Sequence, residues 1–185
     1  MIDLFAGGDV VATRTHTTYE FTSRGHLVAR TRNRPVAATH WWTYVLRLLA
    51  SSGATRRHEI EVLDTGDVVR WLIALDPGDP NTFAAEVTLP DGTLVGRASA
   101  DGGFLDPFPT IELTDSAGTR VGYATSDGAP QVFDPDGRLI AELTWQGAER
   151  PFDMTRWRLQ FLVPRVAAEL RAVVLAGIIA WELPR

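Results

Sequence analysis

The feature that most constrains the fold is an apolar stretch near the C-terminus. From Ala172 to Trp181 the chain carries no charged residue, so a helix spanning it is apolar on every face. Such a helix must be surrounded by protein or by lipid. About ten residues rise only ~15 Å in a helix, whereas a membrane span needs about 20 apolar residues. We therefore predict a helix at about 165–182 that is buried inside a domain, and no transmembrane span.

Both ends of this helix are marked in the sequence. Pro164 is compatible with a first helical turn, because the N–H group that proline lacks has no partner there. Pro184 ends the helix. Arg165, Glu169 and Arg171 give the first two turns a polar side. The rest of the chain is expected to wrap around the apolar part.

The chain before the helix is dominated by strand–turn–strand patterns. Short runs of β-branched and aromatic residues alternate with turns rich in Asp, Gly and Pro, which is typical of hairpins. The five predicted turns are Ser23–His26, Asp64–Asp67, Pro90–Thr93, Asp115–Gly118 and Asp134–Gly137. The last three share one scheme, in which two strands flank an acidic turn with glycine.

The segment 39–52 is ambiguous between helix and strand. Trp41, Val45 and Leu48 follow the spacing of one helix face. Residues 42–45, with Trp, Thr, Tyr and Val in succession, are equally typical of a strand. We favour a short helix for this segment.

Together with weaker patterns at 2–18 and 150–163, the hairpins predict about twelve strands. An open antiparallel sheet of that size would curl or close, and closure removes its edges. A barrel of about twelve strands is too wide for its own side chains to fill, since ~8 strands already approach the limit. The apolar helix supplies the missing core. We therefore predict one domain, residues 1–185, of a mainly β (α+β) class: a closed antiparallel β-barrel of about 12 strands around a buried hydrophobic C-terminal helix.

This order of elements resembles the tubby C-terminal-like fold, and most closely its phospholipid scramblase and LURP-one-related branch. The resemblance covers about residues 15–183 and is carried by Tyr19–Ala29, the three glycine hairpins and Leu170–Glu182. It implies a non-catalytic domain that binds anionic phospholipid headgroups at the barrel surface. In scramblases an acidic segment proposed to bind calcium lies just before the helix. Here Arg158–Arg165 contains no Asp or Glu, so we expect no metal site.

Composition narrows the function classes further. The formal net charge is -5, which does not favour nucleic acid as a partner. The chain has no cysteine, and its N-terminus lacks the pattern of a signal peptide, so we expect a cytoplasmic protein, with a peripheral membrane location as a further possibility. All 18 basic residues are arginine, which is typical of a GC-rich bacterial genome.

Enzyme signatures are missing from the sequence. His16, His26, His40 and His58 lack metal-ligand spacing, and no nucleophile elbow or phosphate-binding loop is present. We expect no catalytic residues and no cofactor. The oligomeric state stays open.

One candidate binding site is a row of arginines. Arg30, Arg32 and Arg34 alternate along a predicted strand, so their guanidinium groups share one face. Such a row suits phosphate, which accepts bidentate hydrogen bonds from arginine, and Arg56 and Arg57 could join it. Two interpretations stay open: an anionic-headgroup site, or an exposed face on which acidic neighbours pair the arginines.

Two further features have a functional and a structural interpretation. Trp41 and Trp42 are candidates for a membrane interface, which such side chains favour, although residues of this kind more often cap a barrel end or pack in the core. Asp134-Pro135-Asp136-Gly137 with Glu142 has some likeness to a calcium loop, but its glycine is at the wrong offset, so we predict a hairpin turn.

The alternative to lipid binding is a protein-interaction or regulatory scaffold without a small ligand. Phospholipid scrambling is a third hypothesis, and it would require the terminal helix to leave the barrel.

Overall fold

The computed structural model describes residues 4–5, 8–15, 18–34, 58–77, 82–101, 110–125, 130–145, 156–163 and 166–182. Over these ranges the chain forms twelve strands and one helix, α1, at Ala168–Glu182. The strands are β1 (Asp9–Thr15), β2 (Thr18–Ser23), β3 (His26–Arg34), β4 (His58–Asp64), β5 (Val69–Pro77), β6 (Thr82–Thr88), β7 (Leu94–Asp101), β8 (Ile111–Asp115), β9 (Arg120–Thr125), β10 (Gln131–Phe133), β11 (Leu139–Trp145) and β12 (Arg156–Phe161).

The strands close into a barrel. Each pairs antiparallel with its neighbours in sequence, and β1 pairs with β12. The closing pair sets Asp9 opposite Gln160 and Ala12 opposite Trp157. The predicted closed barrel of about 12 strands with a C-terminal helix is confirmed.

This up-and-down order gives the barrel two different ends. The turns after β2, β4, β6, β8 and β10 all lie at one end, which we call the tight-turn end. The start of β1 and the end of β12 lie there too. Helix α1 therefore enters the barrel at the tight-turn end and runs towards the opposite end.

Four of the five predicted hairpin turns share one hydrogen-bond pattern. In the turn after β8, the N–H of Asp115 donates to the carbonyl of Thr119, and the N–H of Gly118 donates back to the carbonyl of Asp115. The same two bonds recur in the turns after β4, β6 and β10. Gly118 has a φ of +79°, which favours glycine, and in the turn after β4 this position is held by Asp67 at +62°. The repeated scheme seen in the sequence is therefore a repeated turn.

Helix α1 lies nearest to β6, β7 and β8. Residues 171–179 are all buried. Small residues let the helix lie close to the barrel wall. A Cβ added at Gly177 on the helix would lie 3.1 Å from the Cβ of Ala98 on β7. The predicted burial of the helix inside the barrel is confirmed.

Aromatic side chains fill much of the remaining interior. The ring of Phe5, from the segment before β1, lies 5.7 Å from that of Phe21 and 5.5 Å from that of Trp71. Phe21 in turn lies 6.2 Å from Trp157. The barrel thus has a helix against one wall and an aromatic cluster opposite, so its interior is a packed core.

The start of the helix differs from the sequence prediction. Val166 and Ala167 precede α1 and are not helical, so the helix begins at Ala168. The N–H of Arg171 donates to the carbonyl of Ala167, which closes the first turn. The prediction for Pro164 lies outside the described residues, as does the predicted short helix at 39–52.

The prediction that Arg171 lies with Glu169 on a polar side of the helix was wrong. Glu169 is exposed, but Arg171 is only 3% exposed. Its Nη1 group donates a hydrogen bond to the backbone carbonyl of Phe5, and its Cζ atom lies 5.2 Å from the centre of the Phe161 ring. These contacts inside the barrel replace the water that would otherwise solvate the guanidinium group.

Among the described residues, no helix combines the length and the apolar character that crossing a bilayer requires.

Candidate interaction surface

The predicted arginine row lies on the outer face of β3. Arg30, Arg32 and Arg34 are all exposed, whereas Ala29 and Thr31, the residues on either side of Arg30, are buried. The hydroxyl of Thr31 accepts a hydrogen bond of 2.7 Å from the N–H of Tyr19 inside the barrel. The period of two along the strand therefore puts the three guanidinium groups on one face, as predicted.

Each arginine of the row has its own carboxylate partner. The Nε of Arg32 donates to Oε2 of Glu61 at 2.7 Å, across the β3–β4 ladder.

Arg34 faces Glu59 with 3.7 Å between nitrogen and oxygen, and Arg30 pairs with Asp67 in the turn after β4. These three arginines and three carboxylates, here called the β3–β4 charge ladder, carry no formal net charge.

The charge ladder remains open to solvent and to partners. The side chain of Arg32 is 63% exposed, and those of Arg30 and Arg34 are about half exposed. Exposed ion pairs contribute little to stability, because water and salt screen them. Its ion pairs can therefore be replaced by ion pairs with another molecule at a small cost in free energy.

The remaining predicted site residues, Arg56, Arg57, Trp41 and Trp42, lie outside the described residues. Their proposed roles in headgroup binding and at a membrane interface stay predictions.

A groove lies beside the charge ladder on the outer face of the barrel. It has a volume of about 330 Å³ and is lined by Ala74, Asp76, Ala84, Glu86 and Arg97. These residues come from three adjacent strands, β5, β6 and β7. The sequence does not reveal this groove, because it depends on which residues face each other across the strands.

The strand register makes alanine and acidic side chains alternate across the groove. Ala74 on β5 faces Glu86 on β6, and Asp76 on β5 faces Ala84 on β6. Ala74 and Ala84 are therefore diagonal neighbours and form the floor of the groove. Asp76 and Glu86 occupy the other two positions and rise on either side of this floor. Arg97 on β7 pairs with Glu86 from the far side.

Three large apolar side chains are strongly exposed among the described residues. They are Leu27 (43%), Val68 (49%) and Leu162 (43%). All three lie at the tight-turn end: Leu27 follows the turn after β2, Val68 follows Asp67 in the turn after β4, and Leu162 follows β12. Arg24, in the turn after β2, is also exposed.

Two further ion pairs brace the barrel. In the turn after β4, hydrogen bonds from the N–H of Val68 and from the side chain of Arg70 lower the pKa of Asp64. At the closure of the barrel, Arg158 on β12 donates two bonds of 2.8 Å to Asp9 on β1, and these raise the pKa of Arg158. The carboxylate of Asp64 is thus held in its charged form by its local partners, and the Arg158–Asp9 pair joins the two strands that close the barrel.

Asp134–Gly137 is a hairpin turn, as predicted. Oδ1 of Asp134 accepts hydrogen bonds from the N–H groups of Asp136 and Arg138. Within the described part of the chain, no group of three or more His, Asp or Glu side chains could hold a metal ion.

Comparison of the chain with protein-family models, with curated proteins and with solved structures gave no match.

Proposed function

We propose that the chain is a non-catalytic binding domain that recognises a protein partner on the outer surface of its barrel. The observation that carries this proposal is the β3–β4 charge ladder, in which each arginine has an adjacent carboxylate. A surface of alternating, exposed charges complements a protein surface that also carries both signs. Anionic bilayers instead attract clusters of about 4–8 basic residues, and three of the arginines are neutralised here.

The resemblance to the scramblase and LURP-one-related branch is part of this proposal. The barrel around a C-terminal helix supports it at the level of fold. Function on a shared fold depends on its surface sites. Because the interior is packed with α1 and aromatic side chains, we place the binding site on the outside.

Binding of anionic phospholipid headgroups is a second candidate, favoured by a different observation. The exposed Leu27 and Val68 lie at the tight-turn end with Arg24 and Arg30. Apolar side chains flanked by arginines can enter a membrane interface while the guanidinium groups bind phosphate. A phosphate that contacts Arg30 would then replace the carboxylate of Asp67.

Vesicle flotation separates the two candidates. We would compare vesicles of phosphatidylcholine with vesicles that also contain phosphatidylserine. The protein-partner proposal expects little flotation with either, and no effect of replacing Arg30, Arg32 and Arg34 by alanine. If the wild type floats only with anionic vesicles and the triple variant does not, lipid binding is the function. Arg156→Ala, at the start of β12 and therefore at the opposite end of the barrel, is the matched control for Arg30→Ala and should then still float.

Affinity capture tests the protein partner directly. We expect the wild type to recover one protein in stoichiometric amount, and expect the charge-reversed variant Glu59→Arg/Glu61→Arg to lose it, because reversal leaves like charges facing each other on β3 and β4. Equal recovery by both proteins would show that the charge ladder is not the binding surface. Unchanged circular dichroism of the variant is the control for folding.

A further inference from the structure

We infer that the groove between β5 and β7 binds an arginine side chain of the protein partner. This inference rests on the proposed function, since it names the chemistry of that partner. It is independent of the charge ladder itself, because none of the residues lining the groove belongs to the ladder.

The shape of the groove fits a long side chain with a charged end. Ala74 and Ala84 form a floor of small apolar groups. The methylene stem of an arginine packs on such a surface while its charged end stays polar and solvated. A volume of about 330 Å³ leaves room for the stem and for the planar guanidinium group.

The positions of the carboxylates fit a guanidinium group. Asp76 and Glu86 are diagonal neighbours on antiparallel strands, a relationship that separates residues by ~7–8 Å. A planar group between them can donate hydrogen bonds to both sides. Arginine does this with a fork of five N–H donors, whereas lysine offers a compact ammonium group.

The charge balance of the groove also favours one incoming cation. Arg97 pairs with Glu86, while Asp76 is exposed and makes no ion pair with any described residue. Asp76, Glu86 and Arg97 together carry one negative charge, which a single arginine would balance.

The charged residues next to the groove show why it should bind one arginine of the partner and not several basic residues in succession. On the other side of Ala74 lies Glu59, which is paired with Arg34. The cross-strand row therefore reads Arg34, Glu59, Ala74, Glu86, Arg97. Arg34 and Arg97 at its ends already balance Glu59 and Glu86, so the row offers no uncompensated negative charge to further cations, and we place one arginine at its centre.

The test is an NMR titration of the full chain with the peptide Ac-Ala-Arg-Ala-NH₂. We expect saturable amide shifts at Ala74, Asp76 and Ala84. The matched peptide with citrulline has the same shape without the charge, and should bind roughly tenfold more weakly, as expected when a charge-assisted hydrogen bond is lost. Equal binding of both peptides, or shifts at other sites only, would overturn the inference.

Two variants and a control make the test specific to the groove. Asp76→Asn removes the negative charge of Asp76, and Ala84→Leu fills the space above the floor of the groove; each should weaken binding of the arginine peptide by about tenfold. Asp136→Asn removes an exposed carboxylate from a turn at the tight-turn end, and should bind as the wild type does. If Asp76→Asn and the wild type bind alike, the groove is not the site.

Affinity capture with the same variants distinguishes this inference from the proposed function. Capture of the partner by the wild type and not by Asp76→Asn supports both. Equal capture by these two proteins, with loss only in Glu59→Arg/Glu61→Arg, retains the proposed function and overturns the groove inference. If the arginine peptide binds the groove but no protein is captured, the proposed function fails. Shifts at Ala74 and Ala84 that grow with protein concentration, without peptide, would assign the groove to a second copy of the chain.

Discussion

A β-carbon added at Gly96 would lie 2.6 Å from the Cγ2 atom of Val173. Gly96 belongs to β7, and Val173 belongs to the helix inside the barrel. The same β-carbon would lie 2.5 Å from the backbone oxygen of Thr114 on β8. Gly96 therefore fixes how closely the helix can approach the barrel wall.

Replacing Gly96 by alanine should destabilise the fold. The contacted groups are a backbone oxygen in the sheet and a side chain in the packed core, and neither can move freely. Overpacking of this kind costs about 1–3 kcal/mol. Urea denaturation followed by tryptophan fluorescence would measure the change in the free energy of unfolding.

Gly177→Ala is the matched comparison, on the helix side of the same contact. Its β-carbon would lie 3.1 Å from the Cβ of Ala98, and alanine favours the helix by about 1 kcal/mol over glycine. The two effects oppose each other, so we expect a change within about 1 kcal/mol of zero. A loss as large as that of Gly96→Ala would contradict the special role of Gly96.

A variant that ends at Val163 should not form the barrel. It lacks all of α1, whose buried apolar side chains include Val173, Leu175 and Ile179. Each such side chain contributes about 1.5–3 kcal/mol on burial, and the barrel would be left with a void. We expect an insoluble or molten product that lacks a cooperative thermal transition. A variant that ends at Glu182 is the control, and a soluble, cooperatively folding chain ending at Val163 would refute the role of the helix as the core.

The architecture was predictable because its signals are local. The turns after β4, β6, β8 and β10 are each encoded within about five residues, and an aspartate or glycine marks each turn. The apolar helix likewise shows itself in a single continuous stretch. The strand number then follows from the hairpins, closure follows from the need to remove the edges of so large a sheet, and the helix supplies the core.

The partners of the charged residues were not predictable, because they depend on residues far apart in sequence. Arg171 donates to Phe5, which is 166 residues away, so its position in the helix alone gave the wrong environment. The strand period predicted that Arg32 shares one face of the strand with Arg30 and Arg34. Only the β3–β4 register shows that Glu61, 29 residues further on, is its partner. The groove around Ala74 escaped prediction for the same reason.

Replacing Arg171 by alanine should destabilise the chain more than replacing it by methionine. Alanine removes one of the donors to the carbonyl of Phe5, which still accepts from the N–H of Gly8, and opens a cavity beside Phe161 that costs about 2–5 kcal/mol. Methionine also removes the donor, but its flexible side chain fills much of the space. Urea denaturation would measure both variants, and equal losses would show that cavity filling is unimportant here.

Stability should fall in acid partly through Asp64. The hydrogen bonds from Val68 and Arg70 lower its pKa below the ordinary value of 3.8, although partial burial opposes them. Because the folded chain binds this proton less readily than the unfolded chain, the stabilisation is fully present above pH 3.8 and is lost as the pH falls through the lower folded-state value. The thermal midpoint should therefore decrease between about pH 5 and about pH 2. In Asp64→Asn, which cannot titrate at this position but can still accept the backbone bonds, the decrease should be smaller, and parallel curves for the two proteins would show that Asp64 has no part in it.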